Sequence, residues 1–437
     1  MTRIPRAEGV QIPPTLRKRP KNAAIYVRII GGRASTNCQW FIIEGDGPPT
    51  RRKIPDVRTG TNGGSICLMH YRLKKRVALG SIALLTGAIA CAGLVPMQFA
   101  GASSTSGALE FNAPSGLAFG SGHLWVTNLT GNSVTEINPT GGEWLATFHA
   151  KNYEFRQPTA ITNFGPDLFI ANAAGSVSEI RSNNGSLVRV ISGKKFGFVD
   201  PVAIMAVGER ILVLNAGRPN ASPSVLGSIT EINGRTGALL RTVSGPSLML
   251  DNPMAFTMSG SNVYVADEGN NSVTEANIST GALVTVISQQ GLDNPDGIAY
   301  QDGNIWVADS ASNAATEISA ATNTVTVTET DSDADYGFGD PLTVIGTGGN
   351  VYVMTPYGTS PMVTKMSATT GTPYWYMCNT NGPYYFSQLS AFAVSGSDLW
   401  VASRSGANSK TPGASTGSLT EMSINDGSLI TTLPLAG

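Results

Sequence analysis

The feature that most constrains the fold is a motif that recurs seven times between about residue 103 and the end of the 437-residue chain. Six of the units begin at a proline, and a seventh begins near Leu389 without one. The prolines are Pro114, Pro158, Pro201, Pro253, Pro295 and Pro341, which are 42 to 52 residues apart. Each unit contains four short apolar segments separated by turns rich in Gly, Asn and Asp. Four strands at such a period are typical of one blade of a β-propeller.

We therefore predict an all-β protein, a seven-bladed β-propeller of four-stranded antiparallel blades over residues 103–437. One blade cannot bury both of its faces alone, whereas a ring of blades buries them and leaves only short edges. The 50 glycines and the low charged content of 14% suit short strands and tight turns better than helices. Residues 107–111 and 427–433 could each supply the last strand of the final blade, so the sequence leaves ring closure open.

The repeat resembles two known families. Residues 262–288 read NVYVADEGNNSVTEANISTGALVTVIS, and residues 124–148 read LWVTNLTGNSVTEINPTGGEWLATF. Both are similar to the YVTN and NHL repeats, and the resemblance covers the whole chain from residue 103. It implies a propeller that is commonly extracytoplasmic in bacteria and that mostly binds partners, with only some members acting as enzymes.

Streptogramin lyases are also similar at the level of the repeat, and that family relies on histidines and a glutamate near the channel. Here the comparable strand end reads Asp267-Glu268-Gly269-Asn270, without a histidine. Only Glu268 could be carried over from that family, which argues against the same lyase activity.

Residues 69–102 have the three parts of a secretory signal peptide. Residues 72–76 are basic, residues 77–95 are uncharged and mostly apolar, and residues 100–102 read Ala-Gly-Ala. We expect cleavage before Ser103 and therefore a secreted or extracytoplasmic protein. If the segment is not cleaved, it could anchor the chain in a membrane.

Residues 1–68 precede this signal and are basic, proline-rich and unpatterned. We interpret them as a disordered extension or a mis-annotated upstream segment. A lipoprotein signal that ends at Cys91 is an alternative to cleavage before Ser103. Of the four cysteines, only Cys378 lies in the predicted propeller, and we expect it to be buried beside the aromatic residues 374–376.

The charge differs between the two parts of the chain. Before Ser103 there are 16 Lys and Arg against 4 Asp and Glu, and from Ser103 onward there are 13 against 26, a net charge of −13. Because nucleic-acid binding needs clustered Lys and Arg, an acidic body argues against it. Such a body is suited to cationic ligands or metal ions. We expect a monomer.

The predicted blade connectivity brings the end of each second strand to the face where the first strands begin. The residues at these ends are Asn128, Asn172, Asn215, Asp267, Asp309, Thr355 and Ser403. The loops that lead into the first strands add Asp200, Asp251, Asp293, Asp296 and Asp340 to the same face. We therefore predict a polar, acidic ring around the channel mouth, with these ligand-binding candidates: Asn128, Asn172, Asn215, Asp267, Glu268 and Asp309. Asp267 and Asp309 are also the candidate ligands for a divalent cation such as Ca²⁺. The structural alternative is that these side chains bond their own backbone.

Asymmetry between the units points to function. Residues 217–227 and 404–417 are insertions, residues 355–361 are irregular, and residues 374–386 are unusually aromatic. We predict that they form a surface for a protein, peptide or glycan, although loop drift and an aromatic core would explain them too. The predicted function is a binding module that uses the channel-mouth face. The alternative is a metal-dependent enzyme of the lactonase or lyase type.

Overall fold

The computed structural model describes residues 25–26, 42–43, 111–149, 151–245, 248–288, 291–330, 338–356, 361–378, 386–404 and 417–433. The first compact unit, Met1–Ile66, contains a two-stranded antiparallel pair, Ile25–Tyr26 with Ile42–Ile43. The signal segment lies outside the described residues, so its bounds, the extension before it and cleavage before Ser103 stay predictions.

The second unit contains seven four-stranded antiparallel sheets, which confirms the predicted all-β, seven-bladed propeller. The strands of blades 1 to 4 are Pro114–Gly120, His123–Asn128, Ser133–Asn138 and Glu143–Phe148; Pro158–Phe164, Asp167–Asn172, Ser176–Arg181 and Leu187–Ser192; Pro201–Val207, Arg210–Asn215, Ser228–Asn233 and Leu239–Val243; Pro253–Ser259, Asn262–Asp267, Ser272–Asn277 and Leu283–Ile287. Those of blades 5 to 7 are Pro295–Gln301, Asn304–Asp309, Ala314–Ser319 and Thr324–Thr330; Thr343–Thr347, Asn350–Thr355, Met362–Ser367 and Pro373–Cys378; Leu389–Ser395, Asp398–Ser403, Ser418–Ser423 and Leu429–Leu433.

Short 3-10 turns at Lys151–Tyr153, Lys194–Phe196 and Glu268–Asn270 connect some of these strands. No helix in the described part of the chain is long and apolar enough to cross a membrane.

The strand register decides which residues share a face. Pro114 pairs with Asn128, and Asn128 pairs in turn with Ser133. The start of the first strand, the end of the second and the start of the third therefore meet at one face of the blade. We call this the channel-mouth face. It carries the loops between second and third strands and the loops that connect one blade to the next.

Hydrogen bonds join the first strands of neighbouring blades. The residue after the leading proline donates to the proline carbonyl of the next blade: Ser115 Oγ to Pro158 (2.6 Å) and Thr159 Oγ1 to Pro201 (2.8 Å). Ser390 Oγ donates in the same way to Pro114 (2.6 Å), which links blade 7 to blade 1. The ring is thus closed by the same contact that joins blades 1, 2 and 3.

The last blade takes all four of its strands from the C-terminal segment, because Leu429–Leu433 is its fourth strand. Of the two candidate segments for this strand, residues 427–433 supply it. Phe111 and Leu124 pack with Trp400 and Leu433 in one apolar cluster across the closure. Side-chain packing and hydrogen bonds therefore hold the seam, and no described strand is shared between blade 1 and blade 7. Residues 107–110 of the other candidate segment lie outside the described residues.

The core lies between neighbouring sheets and is built mainly on the second strands. Trp125, Trp306, Trp400, Tyr264 and Tyr352, all on second strands, are among the largest fully buried side chains. Truncation of one such aromatic residue to Ala typically costs about 3–5 kcal/mol. Cys378 is buried, as predicted.

A glutamate recurs on the third strands, and in several blades it links the blade to the next one. Glu231 accepts from Arg241 Nε (2.6 Å) and from Arg210 Nη1 (3.1 Å). Arg241 Nη1 also donates to the carbonyl of Ser279, in the turn between the third and fourth strands of blade 4 (2.8 Å). The buried carboxylate therefore holds an arginine that reaches across the blade interface, which agrees with a structural role.

Other blades make the same connection with different side chains. Glu275 in blade 4 accepts directly from Asn323 Nδ2 in the corresponding turn of blade 5 (2.6 Å). In blade 6 the glutamate is replaced by Lys365, whose Nζ donates to the carbonyl of Ile424 in blade 7 (2.7 Å). The interface needs a charged or polar group at this position, and several side chains can provide it.

We predict that Glu231→Ala lowers the free energy of unfolding by about 3 kcal/mol, because breaking a buried ion pair leaves two arginines without their partner. Urea unfolding measures this. The matched control is Glu209→Ala, which removes an exposed ion pair with Arg235 in the same blade and should cause no measurable loss. Equal effects of the two substitutions would contradict the role given to Glu231.

Candidate functional site

A cleft of about 610 Å³ opens on the channel-mouth face over blades 3, 4 and 5. Its lining residues are Asp200, Gly217, Arg218, Pro219, Asn220, Ala221, Asp251, Asn252, Glu268, Gly269, Asn271 and Asn294. One wall is the insertion at residues 217–227. This insertion is braced by backbone hydrogen bonds in both directions between Arg218 and Val225 (2.7 and 3.1 Å). The loop that distinguishes blade 3 from its neighbours is therefore part of the cleft.

Glu268 is fixed in this cleft by amides from two different loops. Asn252 Nδ2 donates to Oε2 (2.6 Å), and Asn294 Nδ2 donates to Oε1 (3.2 Å). Both asparagines have left-handed backbones, with φ of 56° and 58°. Asparagine adopts this region more readily than most residues, and each one precedes the proline that starts a blade. The Asp-Asn-Pro sequences thus position the two amides that orient the carboxylate.

The electrostatic environment of the cleft is acidic. Asp200, Asp251 and Glu268 line it, with Arg218 as the only Lys or Arg in the lining. Burial raises the pKa of Asp200, and Arg218 opposes that rise. A cationic ligand would meet a negative surface here.

Asp296, at the start of the first strand of blade 5, adds to this acidity. Its pKa is raised to about 6, mainly by burial and also by the nearby charges of Glu268 and Asp340, while a hydrogen bond with Ser310 opposes the rise. Blades 1, 2 and 7 carry a Ser or Thr at the corresponding position. Blade 5 therefore places an acid where these blades place the hydroxyl that bonds the next blade.

The strand-end asparagines lie inside the blades. Asn128 Nδ2 donates to Ser133 Oγ (3.2 Å) and Thr135 Oγ1 (3.0 Å) of its own third strand. Asn172 Nδ2 donates in the same way to Ser176 Oγ and Ser178 Oγ. Asn215 Nδ2 donates to Ser228 Oγ and Thr230 Oγ1. All three side chains are fully buried, so their contacts are those of the structural alternative.

Asp267 replaces this asparagine in blade 4 and makes different contacts. Its Oδ1 accepts from the Asp251 amide (2.8 Å), and its Oδ2 accepts from Asn270 Nδ2 (2.9 Å). Burial raises its pKa to about 6, although both of these hydrogen bonds lower it. The carboxylate therefore turns toward the loops, and in the described part of the chain the hydroxyls of Ser272 and Thr274 on the third strand have no hydrogen-bond partner.

Asp309 takes the same position in blade 5. Its side chain is 0% exposed, and neither oxygen has a hydrogen-bond partner among the described residues. Ala314 stands where most blades have a serine, and the Thr316 hydroxyl donates to the carbonyl of Gly291 (3.1 Å). Burial raises the pKa of Asp309 to about 8, and the charges of Asp296 and Asp293 add to the rise. The carboxyl is therefore mostly protonated at neutral pH.

Of the six predicted ligand-binding residues, the structure places Glu268 alone on the cleft. The other five are buried beneath the loops of their own blades. Within the described ranges, no three His, Cys, Asp or Glu side chains are grouped so that they could hold a metal ion. The prediction of a divalent cation at Asp267 and Asp309 therefore has no donor set in that part of the chain.

Asp200 and Asp251 belong to the acidic ring that the sequence predicts, whereas Asn252 and Asn294 are not among its candidates, because an Asn before Pro is typical of a turn. The signal that could have found them is the repeated Asp-Asn-Pro in two consecutive blades, next to an acidic strand end. The insertion at 405–416 and most of the irregular and aromatic segments, residues 357–360 and 379–385, lie outside the described residues.

Comparisons with known proteins give information on the fold alone. No protein-family profile and no curated protein matches the chain. Among solved structures, a computationally designed protein, Ika8, matches with a TM-score of 0.53 and 14% identity over 74% of this chain and 88% of that one. BamB from Moraxella catarrhalis matches with a TM-score of 0.45 and 12% identity over 66% and 80%. At 14% identity, the likeness to Ika8 shows the architecture alone. The class defined here is a seven-bladed β-propeller with an acidic cleft on its channel-mouth face.

We predict that Asp309→Asn stabilises the protein at pH 8 by on the order of 5 kcal/mol. The folded pKa of this carboxyl, about 8, lies above its unfolded value near 3.8, so ionisation disfavours the folded state. The wild type therefore loses stability as the pH rises from about 4 to about 8, whereas an amide has no proton to lose over this range. The gain should shrink steadily as the pH falls from 8 toward 4.

Thermal unfolding of both proteins across this pH range measures the effect. The control is Glu143→Gln, which removes an exposed carboxylate in blade 1 and should leave stability unchanged at every pH. A gain for Asp309→Asn that does not vary with pH would show that the buried carboxyl is ionised throughout.

Proposed function

We propose that this chain is an extracytoplasmic binding module whose channel-mouth face binds a protein or peptide partner, with a basic side chain of that partner in the cleft at Glu268. The observation that carries the proposal is the orientation of Glu268 by Asn252 and Asn294. A carboxylate held in place by the protein loses little freedom when a ligand binds, so more of the interaction energy becomes affinity.

The composition of the cleft favours a cationic group over other ligands. Three acids and one arginine line it, and the propeller as a whole carries a net charge of −13 from residue 103 onward. A hydrogen bond between ionised partners contributes about 1.5–3 kcal/mol. The cleft is also open and faces the loops, as suits a side chain presented on another polypeptide.

The family and the cellular location belong to the same proposal. The repeats resemble YVTN and NHL units, and residues 69–102 read as a signal peptide. If the chain is exported as we propose, N-terminal sequencing of secreted material should begin at Ser103. Exported material that retains residues 69–102 would instead support an uncleaved membrane anchor.

Panning a random phage-displayed peptide library on the purified protein tests the binding function. We predict enrichment of peptides that contain Lys or Arg. Their affinity, measured by isothermal titration calorimetry, should fall about tenfold in Glu268→Gln, because the charge-assisted bond is weakened. The affinity should also fall as salt is raised, as for any partly exposed charge pair.

The matched control is Glu209→Gln, an exposed acid in the turn between the first and second strands of blade 3, on the opposite face. It should bind the same peptides as the wild type does. Enrichment without basic residues, or equal affinity for wild type and Glu268→Gln, would overturn the proposal. Binding of neutral glycans with no such peptides enriched would point to a sugar ligand instead.

A further inference from the structure

A second, smaller cavity of about 220 Å³ shares a turn with the cleft. The turn is the 3-10 segment Glu268–Asn270 with Asn271 after it. Glu268, Gly269 and Asn271 line the cleft, and Asn270 lines the smaller cavity. The other lining residues of the smaller cavity are Leu248, Met249, Ser272, Thr274, Val286 and Ser288. One ligand that crosses this turn would reach both cavities.

The floor of the smaller cavity carries two hydroxyls that have no hydrogen-bond partner among the described residues. They are Ser272 Oγ and Thr274 Oγ1, and each of these residues is 1% exposed. The corresponding hydroxyl of blade 3, Thr230 Oγ1, donates to the carbonyl of Phe196 (2.9 Å) and accepts from Asn215 (3.1 Å). A buried hydroxyl without a partner costs free energy, so an unbonded pair lining a cavity points to an external partner.

The rim of the same cavity is apolar and exposed. Met249 is 57% exposed and Val286 is 40% exposed, while Leu248 is buried behind them. A methionine thioether makes favourable contacts with aromatic rings. The cavity therefore combines apolar walls with a polar floor, and its occupant should have an apolar body and a hydrogen-bonding tip.

We propose that this cavity binds a tyrosine side chain from the same peptide whose basic side chain lies at Glu268, so the inference rests on the proposed function. A phenol matches the walls with its ring, and its hydroxyl can both donate to and accept from Ser272 and Thr274. The neighbouring Asp267 carboxyl and the acidic cleft disfavour an anionic tip such as a phosphate or carboxylate. The ligand class is thus a peptide with a basic residue close to a tyrosine.

The test uses synthetic peptides in which Arg and Tyr are separated by zero to three glycines, each with a Phe counterpart. Fluorescence anisotropy on the full chain gives the two affinities. At the optimal spacing we expect the Tyr peptide to bind about fivefold more tightly than the Phe peptide, because the Phe peptide lacks the hydroxyl that forms these hydrogen bonds. In Thr274→Val this ratio should fall toward one, while the melting temperature is retained because an unbonded hydroxyl has been removed.

The matched control is Thr230→Val, at the same position of blade 3, where the hydroxyl is used within the fold. It should lower the melting temperature and leave the Tyr-to-Phe ratio unchanged. A ratio near one in the wild type, or a ratio that Thr274→Val does not change, overturns the tyrosine pocket, since water alone would then occupy the cavity. If binding depends on Glu268 in these cases, the proposed function survives. If no peptide of the series binds, or if Glu268→Gln has no effect, both proposals are overturned.

Discussion

Burial of the second strands between neighbouring sheets is the constraint on which the rest of the structure depends. These strands carry the tryptophans and tyrosines that fill the blade interfaces, and both of their faces are covered. No blade can cover both faces of its own second strand, so the chain is stable only as a ring. The Ser and Thr contacts to the proline carbonyls and the third-strand charges then fix how neighbouring blades sit against each other.

The same constraint explains why the asymmetric features are concentrated in the loops. The strand interior tolerates little change, because each apolar side chain touches two sheets. Blades 4 and 5 depart from the repeat at Asp267 and Asp309, beneath the channel-mouth loops, and blade 3 departs at residues 217–227. These departures occur in three consecutive blades and surround one cleft. An acid at a position where an amide is usual also changes what its neighbours can bond, as the hydroxyls of Ser272 and Thr274 show.

The number of blades and their topology could be predicted from the sequence, because the period of the repeat fixes the first and the strand pattern fixes the second, whereas ring closure could not. Of the residues that line the cleft, the sequence indicates the acids Asp200, Asp251 and Glu268 but not the asparagines that orient Glu268. The strand register correctly places Asn128 and Asp309 at the channel-mouth face, but register does not say whether a loop covers a side chain. That cover depends on backbone conformations such as the left-handed turns at Asn252 and Asn294, which alternating hydrophobicity does not encode.

The seam between blade 7 and blade 1 has a consequence for how such a chain can change over generations. Every blade is assembled from one uninterrupted stretch of sequence, and the contact from Ser390 to Pro114 is the same as the contact from Ser115 to Pro158. Duplicating or deleting one whole repeat would therefore leave no sheet incomplete. New termini between any two blades would likewise cut no sheet. In a propeller closed in this way, the whole blade is the unit of evolutionary change as well as the unit of architecture.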